Sequence, residues 1–189
     1  MDSGQKFHNF MSGFTAAVEL DMRAAKEGCF VECVVLSAAV IDGTLRMGLI
    51  LKHQLETNTN DLLDELLYQE EDAKGISERE IYRRALAKKI IIQETYDSLN
   101  TLYDLRNRVI HRYIISMITT KDVLDIASKY DSLKHQVSDH VAELEKEQIR
   151  LGVGMSVSGN SENLSETLGK VALSKHGDDN LAEALRNGI

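Results

Sequence analysis

The chain has 189 residues, 43% of them hydrophobic, no proline, no tryptophan and a formal net charge of −8. That length favours one domain with an appendage, and the apolar fraction excludes wholesale disorder. The acidic balance argues against a general nucleic-acid coat protein, which is ordinarily basic, but leaves room for a small local phosphate site. Without proline, long helices are permitted everywhere. Runs of Ala, Leu, Glu, Lys and Arg favour them. No stretch alternates as a strand for more than a few residues, so the expected fold is all-α.

In chain order, the first helix is expected from about Lys6 to Glu27, with Phe7, Phe10 and Phe14 near one face and Gly28 breaking it. Met1–Gly13 is polar and lacks a long apolar run, which predicts no secretory leader. The second helix, about Cys29 to Leu55, is apolar nearly all round and is expected to be central to the bundle or shared with a second subunit. Its most apolar part, Val34–Leu51, is interrupted by Asp42 and Arg46 and reads as a buried bundle helix rather than a membrane span. Cys29 and Cys33 are four apart on one helix face. No histidine or carboxylate set completes a metal site around them, so they are expected to pack in the core of a cytoplasmic protein, with no metal or cofactor.

Residues 56–75 hold seven acidic side chains against Lys74 alone. This stretch reads as a solvated connection, with a short helix around Leu62–Leu67. Ser77 followed by Glu80 is a capping-box pattern. It predicts a third long helix running to about Leu105, with Ile81, Ala85, Ile91 or Ile92, Tyr96, Leu99 and Leu102 on its apolar face. A β-branched patch, Ile114–Thr120, interrupts the helical pattern. The last long helix is expected from near Thr120 to near Leu151, with Val123, Ala127, Tyr130, Val137, Val141 and Leu144 at bundle spacing. Residues 1–151 are thus expected to form an antiparallel bundle of four long helices. Residues 152–189 read as a Gly/Ser linker and a helical tail that is docked, swapped onto a partner or mobile. Gly152–Gly159 lacks the Gly-Lys-Ser/Thr ending and the preceding strand of a phosphate loop.

The chemistry concentrates in Arg106-Asn107-Arg108-Val109-Ile110-His111-Arg112-Tyr113. Residues 76–113 carry eight basic side chains against five acidic ones, so the local excess is positive in an acidic protein. Arginine offers a permanent forked cation suited to phosphate. Histidine can move a proton near neutral pH. Five residues on an ideal helix rotate by about 140°, so Arg106 and His111 would not share a face. Acting on one phosphate requires that the helix distort or end between them, or that a two-fold axis bring two copies together.

Arg-Asn-x-x-x-His-x-Tyr resembles the signature of HEPN domains, and its final tyrosine matches the form found in HEPN toxins paired with minimal nucleotidyltransferase antitoxins. The resemblance covers the octapeptide and the four-long-helix layout. It implies a helical bundle that forms a homodimer and a metal-independent endoribonuclease in which Arg106 and His111 line a cleft at the dimer interface. His111 would be the general base on a ribose 2′-OH and Arg106 would stabilise the phosphorane. Asn107 would hold a phosphate oxygen or orient His111. Tyr113 corresponds to the tyrosine on which the antitoxin places AMP. Asp42 corresponds, on this resemblance, to the acidic residue that orients the motif arginine in some family members; Arg46, one turn along, is its alternative partner. The implied partners are RNA and an antitoxin, with no membrane. The alternatives are a non-catalytic HEPN module that binds nucleotide, RNA or protein, and a purely structural helical adaptor with no cleft at His111.

Overall fold

The computed structural model describes residues 1–69 and 75–157, and the described residues are helical with no strand. The expected tail falls outside them beyond Val157. Helix α1 (Ser3–Glu27) starts where the Asp2 carboxylate accepts from the Gln5 amide at 2.8 Å. It ends at Gly28, whose φ of 73° suits glycine and whose N–H turns back to the Ala24 and Ala25 carbonyls. Helix α2 (Phe30–Thr57) follows almost at once, so the two lie antiparallel. Ser37 meets Asp21 and, further along, Gly43 lies against the Phe14 ring.

The acidic connection holds the expected short helix, α3 (Asp64–Leu67). The third long helix is where expectation fails: it is two helices, α4 (Glu78–Ala87) and α5 (Gln93–Arg112). At the N-terminus of α4, the Ser77 hydroxyl accepts from the Glu80 amide at 3.3 Å. The Glu80 carboxylate does not complete the box; it binds Arg83 and Arg84 instead. The break at Lys88–Ile92 has a packing cause. Ile90 and Ile91 are both buried, and adjacent residues on a helix point about 100° apart. Lys89 takes a left-handed φ of 56°, and the unwound chain turns both side chains inward.

Helix α6 (Thr120–Leu151) has the expected bounds, set by a complete Thr119–Asp122 capping box and by Gly152. Residues 152–157 are not a free linker. A 3-10 turn at Met155–Val157 folds back, and the amides of Met155 and Ser156 donate to Gln54 and Gln148.

The bundle is centred on α2 and α6, which run parallel: Gly48 packs on Val141 and, lower down, Gln148 donates to the Leu51 carbonyl. Gly48 sets their closeness, since a Cβ there would stand 2.9 Å from Val141 Cγ2. α1 and α5 flank this pair, each antiparallel to it. Ile41, Leu45, Ile50, Ile81, Tyr82, Leu99 and Tyr130 form the fully buried centre. α2 is long and apolar enough to cross a membrane by length and composition, and 67% of its most apolar window is buried in the bundle. Cys33 is buried and Cys29 partly so, both as free thiols. Burial pushes the Cys33 thiol up.

Candidate functional site

α5 carries the octapeptide without distortion. It stays helical through Arg112, so the helix does not break between Arg106 and His111. The buried positions on its inner face are Leu99, Leu102 and Val109. Arg106 lies four residues after Leu102 and three before Val109, on the same stripe. His111 is two residues past Val109, which turns it to the outer face, and it is exposed. One side chain therefore points into the bundle and the other out of it.

The Arg106 side chain is only 13% exposed. Its Nη1 donates to both carboxylate oxygens of Glu78, at 2.5 and 2.7 Å. Its Nη2 reaches the Asn107 side-chain oxygen at 3.3 Å. The guanidinium lies over the Tyr103 ring, 4.7 Å from the centroid, and Arg79 covers the same ring at 4.5 Å. Burial pulls the Arg106 pKa down, but the hydrogen bond and charge of Glu78 outweigh it and the net shift is upward. The cation is permanent.

The carboxylate on Arg106 is thus Glu78, not Asp42. Asp42 Oδ2 accepts from Arg46 Nε at 2.6 Å. Arg46 spends its other nitrogens on the carbonyls of Leu66, at 3.2 Å, and Ile76, at 3.1 Å. That pair ties α2 to the segments around α4, a structural role. Burial raises the Asp42 pKa, and Arg46 opposes the rise. Around both pairs sit the buried phenols Tyr82 and Tyr130, both shifted upward, chiefly by burial. Tyr82 donates to Glu78 at 3.3 Å. Asp42 Oδ1, Arg106 Nε and the Tyr130 hydroxyl are buried with no hydrogen-bond partner among the described residues. This polar cluster was not read from the sequence. Glu78 stands 28 residues from Arg106 across the helix break, and no local spacing links them.

The outer half of the octapeptide has a different character. Arg108, Ile110, His111, Arg112 and Tyr113 are exposed, and Asn107 is half-buried. Ile114, Ile115 and Met117 extend the face at the tip of the α5–α6 hairpin, with exposures of 95%, 82% and 96%. A groove of about 830 Å³ runs between α5 and α6 along Thr95, Ser98, Thr101, Ser128 and Ser132, away from the octapeptide. A smaller one near the hairpin is lined by Arg108, Ile118, Asp122 and Lys129, and His111 does not line it. Among the described residues, neither of these two grooves is lined by Arg106 or His111.

No family model, curated protein or solved structure matches the chain. The site rests on its own geometry. That geometry provides a fixed cation with donors left over, a solvent-facing imidazole on the opposite face of the helix, and a cationic–apolar surface around the imidazole.

Proposed function

We propose that the chain is a HEPN-type, metal-independent endoribonuclease that acts as a dimer, in the manner of the toxin of a toxin–antitoxin or antiviral system. The observation that supports this reading most is the Arg-Asn-x-x-x-His-x-Tyr stretch at the exposed end of α5, next to an unpartnered apolar hairpin tip. Three isoleucines, a methionine and a tyrosine in solvent are what a second subunit would cover. A two-fold axis along this face brings His111 of one protomer toward the octapeptide of the other. The fold reading goes with it: α1, α2, α5 and α6 are the four long helices of a HEPN bundle, with α4 as an added segment.

In that dimer His111 removes the proton from a ribose 2′-OH. The oxygen attacks the adjacent phosphorus, the 5′-oxygen leaves with a proton from the second His111 or a water, and the products are a 2′,3′-cyclic phosphate and a 5′-hydroxyl. Arg106 has five N–H donors, and Glu78 occupies only Nη1. Nη2, beside Asn107, stabilises the charge that builds on the phosphorane. Tyr113 is 41% exposed and is the site where an antitoxin of the minimal-nucleotidyltransferase type attaches AMP, filling the cleft with like charge.

The second reading, a HEPN module that binds RNA, nucleotide or protein without cutting, draws on one observation. Glu78 holds Arg106 at 2.5 and 2.7 Å, so the arginine already has an anion. Incubation of the purified protein with RNA in EDTA separates the two. Cleavage to cyclic-phosphate ends, falling at least about 100-fold in His111→Ala and Arg106→Ala, supports the enzyme. Unchanged cleavage in both folded variants refutes it, and RNA binding without cleavage selects the second reading.

A further inference from the structure

A second feature stands apart from the octapeptide, on the opposite side of the bundle. α1, α2 and α6 leave an apolar groove of about 580 Å³ between them, lined by Phe7, Phe10, Phe14, Met47, Val141 and Met155 among others. Phe10 and Phe14 stack with their rings 6.3 Å apart, and all three phenylalanines are only half-buried. A groove walled by aromatic rings and methionines is costly to leave in water.

We propose that residues 164–173 of the chain's own C-terminal stretch dock in this groove. The chain is delivered there. Met155 and Ser156 form part of the groove wall, and their amides are pinned at 3.1 Å to Gln54 and Gln148. Another 32 residues follow Val157. Ser158–Asn163 holds six small or polar residues, whose greatest possible span of about 20 Å exceeds the roughly 10 Å of helix from Phe7 to Phe14.

Beyond it, Leu164, Leu168 and Val171 recur at i, i+4 and i+7, the spacing of one helical face. Phe7 to Phe14 covers the same seven-residue interval, about 10 Å of helix, so the two apolar stripes match in length. Such a segment has too few apolar residues to fold alone. Tethering offsets that obstacle, because a segment joined to the groove by a few residues of the same chain is held at about millimolar effective concentration. The polar rim fits too: Glu145 lines the groove with no ion pair among the described residues, and Lys170 is the cation within the segment. Burial alone holds the Glu145 carboxyl above its ordinary range. The inference does not depend on the ribonuclease reading, since none of its residues belongs to the octapeptide.

The test uses the full chain with Leu168→p-benzoylphenylalanine. Unlabelled and 15N-labelled chains are mixed in urea, refolded together and irradiated, and the crosslinked peptides are mapped by mass spectrometry. Crosslinks within one isotope class to residues 7–14 or 138–145 are expected. Crosslinks joining labelled to unlabelled chains would show a second copy in the groove. That result, crosslinks elsewhere, or none at all would overturn the proposal. A second measurement stands independently: amide exchange over residues 7–14 should quicken about tenfold in Leu168→Asp, and unchanged exchange in that folded variant counts against docking.

Discussion

Removing the Glu78 carboxylate should cost more than its place on a short helix suggests. In Glu78→Ala the Arg106 guanidinium keeps its position over Tyr103, 13% exposed, and loses its counter-ion. Two unit charges about 4 Å apart interact by about 4 kcal/mol at an effective dielectric of 20. Glu78 is itself 25% exposed, so water recovers part of this. The expected loss is about 2–3 kcal/mol, below the range for fully buried pairs. Equilibrium urea unfolding measures it directly. With a slope of about 2 kcal/mol per molar, the midpoint falls by about 1–1.5 M and the slope stays unchanged. A double-mutant cycle with Arg106→Ala should return a coupling of about 2 kcal/mol. A loss under about 0.5 kcal/mol, or a coupling near zero, would mean that the pair is solvated in solution and that Arg106 is not held as described.

Gly48→Ala should lower Tm by about 3–6 °C despite its better helix propensity, because the new methyl meets Val141 Cγ2 at 2.9 Å; a rise in Tm would contradict the close α2–α6 approach. Gln148→Leu strips partners from the Leu51 carbonyl and the Ser156 amide, for a loss of about 2–3 kcal/mol by chemical denaturation; a neutral result would disprove the network's role. Asp42 is a carboxyl raised in the folded state, so the folded protein binds the proton more tightly and its contribution declines as pH climbs from about 4 through the raised value. The stability of Asp42→Asn relative to the parent should therefore increase with pH across that window, and a flat difference curve would rule this out. On the dimer proposed above, Ile114→Asp should shift the protein toward monomer in sedimentation velocity and abolish RNA cleavage; a parent protein that already sediments as a monomer, or a dimer unchanged by the substitution, would refute this interface.

Helix ends were legible at Gly28 and around Thr120 and Leu151, but not at Asp2, whose cap starts α1 three residues before the expected Lys6. Gly28 separates α1 from α2, and Thr119 and Gly152 bound α6, because each end must satisfy its own free amides or carbonyls. The Lys88–Ile92 break carries no such marker. No glycine or proline stands there, and the cause is tertiary: Ile90 and Ile91 both find core. The octapeptide stood out by its residue types, and its continuous helix removes the option that the chain distorts between Arg106 and His111. The inward direction of Arg106 was also there to read, since Leu99, Leu102, Arg106 and Val109 form one stripe. Its partner Glu78 was not, because contacts across a chain reversal leave no periodic trace.

The parallel pairing of α2 with α6 also has a consequence in time. Gly48 and Val141, which touch, are separated by about 90 residues of chain. At about 5–20 residues per second, α2 waits about 5–20 s during synthesis for the helix that covers it. For that interval the most apolar segment of the protein, apolar enough to suit a bilayer, lacks the helix that packs on it most, with α1 and then α3, α4 and α5 as partial shelter. Loop closure over such a distance also slows refolding. Nascent chains stalled between α3 and α6 should be the form of this protein that chaperones hold.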